Sequence, residues 1–103
     1  MKFGLSQRDT SSIEEALSRF PEIEKAIVFG SRAMGNYKPG SDVDLAIVGA
    51  AITPTTVLRL RALLNEDLPL PYFIDVAHYE KIKNAALKQH IDHEGHLLFS
   101  RQV

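Results

Sequence analysis

The sequence contains no cysteine and no tryptophan, and none of its apolar runs is long. Without cysteine the chain can form neither a disulfide framework nor a thiolate that binds a metal or attacks a substrate, and this composition suits a reducing compartment. A membrane-spanning helix needs about 18 or more apolar residues, and a signal peptide needs an apolar segment of about 7–15 residues near its start. The sequence has neither, so we expect a cytoplasmic protein that does not enter a membrane.

A large excess of one charge is also missing, because 12 Lys and Arg residues face 13 Asp and Glu residues and the net charge is -1. Proteins that neutralise many backbone phosphates are usually strongly basic. We therefore expect no extended nucleic-acid surface, although this balance is compatible with a local basic patch. The 103 residues are 45% hydrophobic and 24% charged, which is close to the globular average and predicts a single domain over 1–103.

Apolar periodicity and capping residues predict that helices and strands alternate along the chain. Ser11 or Ser12, followed three residues later by Glu14 or Glu15, is typical of a capping box, and Pro21 should end this first helix. The remaining predicted elements are a strand over Ala26–Phe29, a helical turn that Ser31 caps and Gly35 ends, a strand over Val43–Val48, a helix from Thr53 to about Asn65, a strand over Tyr72–Ala77, a helix from Asn84 to Gly95 and a short strand over Leu97–Phe99. This order predicts a small α/β (α+β) fold, in which a mixed β-sheet packs with helices.

Two acids, Asp42 and Asp44, mark the start of the second predicted strand. Because side chains alternate across a strand, both carboxylates should project from the same face, with their Cα atoms about 6–7 Å apart. Two like charges at that separation favour a proton on one of them, a cationic neighbour or a hard divalent cation. An isolated Asp-x-Asp, however, is more often a solvated strand end than a metal site.

A third acid, Asp75, lies in the otherwise apolar run YFIDVA of the third predicted strand. An acid in such a run is costly to bury without a partner. If the second and third strands pair, Asp75 can join Asp42 and Asp44. Three carboxylates suit Mg²⁺ or Mn²⁺, which complete their coordination shells with water and phosphate.

Gly30 and Ser31 follow the first strand and open a helical turn. Free backbone N–H groups and the positive end of the helix dipole favour an anion there, and glycine allows a phosphate to approach closely. The Ser31 hydroxyl could add a donor, and the Arg32 guanidinium could hold phosphate oxygens. An isolated Gly-Ser pair, however, is more often an ordinary helix cap.

A phosphate-binding turn beside a carboxylate cluster is suited to metal-assisted transfer of a phosphorus-containing group. The run GSRAMG from Gly30 to Gly35, followed after five residues by SDVDL from Ser41 to Leu45, resembles the signature of the DNA polymerase beta-like nucleotidyltransferase superfamily. Within that superfamily the chain resembles the minimal nucleotidyltransferase (MNT) group over about residues 23–99, including Asp75 and the ending IDHEGHLLF.

This resemblance implies a fold, a reaction and a set of site residues. Asp42 and Asp44 would bind two Mg²⁺ ions, and Asp75 would bind the catalytic ion and help it to deprotonate the incoming hydroxyl. Ser31 and the amides beside Gly30 would hold the β- and γ-phosphates of a nucleoside triphosphate. The acceptor would attack the α-phosphate and receive a nucleoside monophosphate.

One position departs from the family pattern, because Met34 stands where members often have arginine. One phosphate-facing positive charge is therefore absent. Arg32 remains to contact the triphosphate, with Lys38 as a substitute for the missing charge.

The resemblance favours transfer of AMP from ATP to a hydroxyl of a partner protein, by an antitoxin that is paired with a helical HEPN-type ribonuclease toxin. A second hypothesis, of a different functional class, is a binding module that neutralises its partner by contact alone. The complete set of three acids favours transfer, and Met34 weakly favours contact. A third hypothesis is nucleotide addition to an RNA end or to a small molecule.

A group of three histidines, His90, His93 and His96, could suggest a metal site of another kind. A helix that breaks at Gly95 would not place His93 and His96 on one face. We therefore expect no histidine metal site.

Overall fold

The computed structural model describes residues 2–101. Helices and strands alternate along it as the sequence predicts, in this order: α1 (Gln7–Ser18), β1 (Lys25–Phe29), α2 (Ser31–Met34), β2 (Val43–Val48), α3 (Pro54–Ala62), β3 (Ile74–His78), α4 (Ala85–Glu94) and β4 (His96–Ser100). A π-helical turn (Leu63–Asp67) extends α3, and a 3₁₀ turn (Tyr79–Lys81) follows β3. Within the described residues, no helix is long and apolar enough to cross a membrane.

The four strands form one mixed sheet in the spatial order β3-β2-β1-β4. β1 is antiparallel to both of its neighbours, whereas β2 and β3 run parallel. In the parallel pair, Val43 lies opposite Ile74 and Asp44 lies opposite Asp75. The expected pairing of the second and third strands is confirmed, and so is the mixed α+β fold class.

Alternation of side chains divides the sheet into two faces with separate cores. The larger core lies against α1 and α3 and includes these buried strand residues: Val28, Val43, Leu45, Ile47, Ile74 and Val76. The smaller core lies against α4 and is built around Phe29, Ala46 and Ile91. Asp44 and Asp75 each lie between two residues of the larger core, so both side chains project from the α4 face.

The outer edge of β3 is closed by side chains from the helical segment that precedes it. The Asn65 amide nitrogen donates to the Ile74 carbonyl at 2.8 Å, and the Ile74 N–H donates to the Asn65 amide oxygen at 2.7 Å. Arg61 Nη2 donates to the next outward carbonyl, that of Val76, at 2.8 Å. Asn65 and Arg61 thus take the place of a neighbouring strand at this edge.

The start of α1 differs from the predicted one. Its N-cap is Ser6, whose hydroxyl oxygen accepts a hydrogen bond from the Asp9 N–H at 3.1 Å. Ser11 and Ser12 lie inside the helix, so the predicted capping box is wrong. The buried Leu5 side chain anchors the chain directly before Ser6, and this tertiary contact places the helix start earlier than periodicity alone indicates.

The starts of α2 and β3 also differ from the predicted ones. The N-cap of α2 is Gly30 rather than Ser31, because Gly30 has φ 73° and ψ -153°, which lies outside the helical region. β3 begins at Ile74 rather than Tyr72, and the Tyr72 hydroxyl bonds to the Asp9 carboxylate on α1. The predicted N-caps of α3 and α4 are confirmed as Thr53 and Asn84.

Replacing Asn65 with alanine should destabilise the protein, because it leaves both the N–H and the carbonyl of Ile74 without their partner. We expect the free energy of unfolding in urea to fall by about 1–3 kcal/mol. Glu66→Ala, an exposed position in the same turn, is the matched control and should change it by less than about 0.5 kcal/mol. Equal effects of the two substitutions would show that Asn65 does not close the sheet edge.

Candidate active site

The structure brings the three predicted acids to one end of the sheet. Asp44 and Asp75 are register partners on β2 and β3, and Asp42 is exposed immediately before β2. The pKa of the partly buried Asp44 is raised, first by burial and then by the negative charges of Asp75 and Asp42. His90 opposes this rise. The acids therefore lie close enough to repel one another, as the two-residue spacing predicts for Asp42 and Asp44.

Asp75 on β3 lies beside an arginine, Arg61, that sequence reasoning does not single out. Its Oδ1 atom lies 3.8 Å from Arg61 Nη2, and the two side chains are 56% and 44% exposed. An ion pair this exposed contributes about 0–1 kcal/mol, so it restrains the Asp75 carboxylate only weakly. The sequence does carry one signal for the position of Arg61. Arg61 and Asn65 are four residues apart, which places both side chains on one side of a helical segment.

The acids have the donor chemistry that a hard divalent cation requires. Carboxylate oxygens are the ligands that Mg²⁺ and Mn²⁺ prefer, and a cation between Asp44 and its neighbours would relieve the repulsion that raises the Asp44 pKa. As the side chains stand, residues 2–101 contain no group of three or more His, Asp or Glu side chains that is arranged to hold a metal ion. The chemistry of the three carboxylates fits the ion, and binding it would require a change in their present arrangement.

Gly30 joins the end of β1 to these acids. Its φ of 73° and ψ of -153° lie in a region that is essentially restricted to glycine. A Cβ atom built on Gly30 would collide with the Asp44 carboxylate. The turn that contains Gly30 is therefore in direct contact with the Asp44 carboxylate.

The turn after Gly30 presents backbone donors. Ser31 is the first residue of α2, and the N–H groups of a first helical turn have no partner inside the helix. The Met34 N–H donates to the Gly30 carbonyl at 3.2 Å, which closes this short helix. Ser31 is partly exposed, so its hydroxyl and these amides can be reached by an anion.

His90 is a second residue that sequence reasoning did not place in the site. Its Nε2 atom accepts a hydrogen bond from the Gly30 N–H at 2.9 Å. His93 and His96 are exposed, and within the described chain no histidine belongs to a metal-binding group. Nothing in the local pattern around His90 signals a contact with a residue that lies 60 positions earlier.

Arg32 does not occupy the expected position of a phosphate ligand. Its side chain is 3% exposed, its Nη1 donates to the Phe3 carbonyl at 2.6 Å, and its Nε and Nη2 donate to the Ser41 carbonyl. The guanidinium also lies 4.9 Å from the ring centres of both Tyr37 and Tyr72. Its donors are occupied by the protein, so Arg32 joins the N-terminal segment to the loop before β2.

The position that departs from the family pattern is on the surface. Met34 is 53% exposed, and Lys38 is exposed on the loop that follows α2. The resemblance suggests Arg32 and Lys38 as cations that could contact the triphosphate. Because Arg32 is buried, Lys38 is the one of these two that is exposed. An anion at this turn would therefore be held mainly by backbone N–H groups and Ser31.

Comparison with known proteins assigns the family. The chain matches the model of the family described as polymerase beta, nucleotidyltransferase over residues 11–103. The chain belongs to the polymerase beta nucleotidyltransferase family. This membership confirms the resemblance carried by the GSRAMG and SDVDL runs. No curated protein matches the chain significantly.

Solved structures of related fold include toxin–antitoxin complexes. A toxin–antitoxin structure with AMP-PNP matches at a TM-score of 0.74 and 22% identity, over 90% of this chain and 74% of that one. The toxin–antitoxin MntA-HepT matches at 0.70 and 20% identity, over 94% and 74% of the two chains. A candidate nucleotidyltransferase from Sulfolobus solfataricus matches at 0.54 and 26% identity, over 89% and 77%. These similarities support the nucleotidyltransferase fold.

Replacing Arg32 with methionine should cost stability. The substitution removes the donors that satisfy the Phe3 and Ser41 carbonyls, and we expect the free energy of unfolding to fall by about 2–4 kcal/mol. Chemical denaturation measures this change, with Arg8→Met at an exposed position of α1 as the control. A variant as stable as the wild type, but weaker in nucleotide binding, would instead assign Arg32 to the phosphates.

Replacing Asp44 with asparagine should increase stability at neutral pH, because it removes a carboxylate whose ionised form is disfavoured in the folded state. An acid with a raised folded-state pKa binds its proton at higher pH in the folded than in the unfolded state. The wild type therefore recovers this stability as the pH falls through the folded pKa of Asp44, and the difference between the two proteins should shrink in acid.

Thermal or urea unfolding at several pH values measures this difference, and Asp67→Asn is the control for an exposed acid away from the site. An Asp44→Asn protein that is less stable than the wild type at neutral pH would mean that the carboxylate stabilises the fold.

Proposed function

We propose that this protein is a Mg²⁺-dependent nucleotidyltransferase that transfers AMP from ATP to a hydroxyl of a partner protein, and that it acts as an antitoxin. The contact between Gly30 and the Asp44 carboxylate carries the proposal, because it merges an anion-binding turn and an acidic cluster into one site. The toxin–antitoxin structures among the fold neighbours support the antitoxin part of the proposal.

The acids have a defined place in this mechanism. Asp42, Asp44 and Asp75 are the residues that would hold Mg²⁺, or Mn²⁺ in its place. When bound, the ion supplies positive charge that offsets carboxylate repulsion and the charge of the triphosphate. A bound ion would lower the pKa of Asp44 toward its ordinary value, so ion binding would be coupled to proton release.

The phosphates belong at the turn after β1. The missing side chain of Gly30 lets the Asp44 carboxylate lie directly against the turn. The first-turn amides of α2 would bind a phosphate beside it. Ser31 adds a hydroxyl donor at the same place. These groups would hold the β- and γ-phosphates, which leave together as pyrophosphate.

Asp75 is the acid placed to receive a proton from the acceptor. It is the more exposed member of the Asp44–Asp75 pair, so an incoming hydroxyl can reach it from solvent. The hydroxyl oxygen forms a bond to the α-phosphorus, and the bond from that phosphorus to the pyrophosphate oxygen breaks. The hydroxyl proton passes to the Asp75 carboxylate.

A protein is the acceptor that the surroundings of the site favour. Two large apolar side chains near the site in sequence are exposed, Met34 on α2 by 53% and Phe73 by 48%, and Phe73 lies two residues before Asp75. Exposed apolar groups at a site rim are typical of protein contacts, and the net charge of -1 does not favour RNA. We propose that the partner is a helical HEPN-type toxin and that the transfer takes place in the cytoplasm.

The transfer is tested by incubating the purified protein and the product of its neighbouring gene with ATP labelled at the α-phosphate and Mg²⁺. We expect label on the neighbour and at least about a hundredfold less with Asp44→Asn, which should remain folded by circular dichroism. Asp67→Asn, an exposed acid in the turn after α3, is the matched control and should transfer normally.

The other outcomes identify the alternatives. An unlabelled neighbour that is still neutralised by the Asp44→Asn protein would contradict transfer and indicate an antitoxin that acts by contact. Label on RNA or on a small molecule, with none on the neighbour, would retain the chemistry and overturn the acceptor.

A further inference from the structure

We infer that His90 is a positioning residue for the phosphate-binding turn, because its imidazole on α4 holds the Gly30 peptide in the orientation that aims the following amides at the site. The inference rests on the proposed function, since it concerns how that function's triphosphate is held. His90 itself need not touch the nucleotide.

The contact is specific and links distant parts of the chain. The Gly30 N–H donates to His90 Nε2 at 2.9 Å across 60 residues of sequence. The imidazole meets the Phe29 ring edge-on, with ring centres 6.1 Å apart and planes at 74°. Because Nε2 accepts the bond, it carries no proton, and the hydrogen of the neutral ring lies on Nδ1.

Gly30 needs an external partner because it lies just beyond the sheet. The last residue pair between β1 and β2 is Phe29 with Asp44, so the ladder ends one residue before Gly30. The backbone there has φ 73° and ψ -153°, a conformation without support from helix or strand geometry. The bond from α4 therefore restrains the one glycine that sets the direction of Ser31 and the rest of α2.

A protonated His90 would lower the pKa of Asp44 through its positive charge, whereas the neutral ring that accepts from the Gly30 N–H carries no charge. A substitution at His90 changes both the hydrogen bond and this charge interaction, so the test must separate them. Glutamine does so, because its side-chain oxygen can accept from the Gly30 N–H at about the reach of Nε2 while the residue carries no charge. Leucine has a similar bulk and accepts nothing.

Calorimetry measures the affinity of the wild type, His90→Leu and His90→Gln for a non-hydrolysable ATP analogue in the presence of Mg²⁺. We expect His90→Leu to bind about three- to tenfold more weakly, as the loss of one neutral hydrogen bond predicts, and His90→Gln to stay within about twofold of the wild type. His93→Leu, at an exposed position on the same helix, should bind normally. In the transfer assay His90→Leu should raise KM for ATP and leave kcat nearly unchanged.

Nuclear magnetic resonance of the wild type tests the geometry without nucleotide and without any variant that could fail to fold. We expect a downfield Gly30 amide proton and a His90 ring that carries its hydrogen on Nδ1. A His90 ring with its hydrogen on Nε2 would overturn the inference.

The binding results separate this inference from the proposed function. A wild type that binds the analogue, together with a His90→Leu protein that binds equally well, would overturn the role of His90 alone. A folded His90→Gln protein as weak as His90→Leu would also overturn it, because the hydrogen bond would not be the cause. A wild type that binds no triphosphate would overturn both.

Discussion

Five consecutive residue pairs join β2 to β3 in parallel, and the position of the candidate site depends on the register of that ladder. Because side chains alternate along a strand, a slip of one residue would turn Asp75 toward the larger core and remove it from Asp44. The buried residues on either side of the two acids hold the register, since a slip would also expose them. The hydrophobic core thus specifies where the charged groups lie.

This arrangement brings together groups that are unfavourable in isolation. Asp44 is partly buried beside two other acids, and Gly30 adopts a conformation that other residues avoid. His90 on α4 accepts a hydrogen bond from the Gly30 N–H and restrains that residue, and Arg61 lies beside the neighbouring acid Asp75. Local strain and like-charge repulsion are common at sites that bind charged ligands, where the ligand relieves them.

Much of the fold and the acidic half of the site could be predicted from the sequence, because those features follow from local periodicity. Alternation placed Asp42 and Asp44 on one face, and the apolar run around Asp75 marked a strand with an unexplained charge. Arg32 was misplaced because its guanidinium binds the Phe3 and Ser41 carbonyls, which no local pattern reveals. His90 was missed for the same reason, and the start of α1 was misplaced because buried Leu5 fixes the chain before Ser6.

In our proposal, the turn after β1 and the acids of β2 and β3 form one site for a metal-bound triphosphate. The most direct measurement is the nuclear magnetic resonance line broadening caused by Mn²⁺ in the presence of a non-hydrolysable ATP analogue. We predict that the amide signals of Gly30, Ser31, Asp44 and Asp75 broaden together, and that the analogue strengthens the effect. The opposite result is that the acid signals broaden equally with and without the analogue while the Gly30 and Ser31 signals do not change. That result would contradict the proposal of a single site.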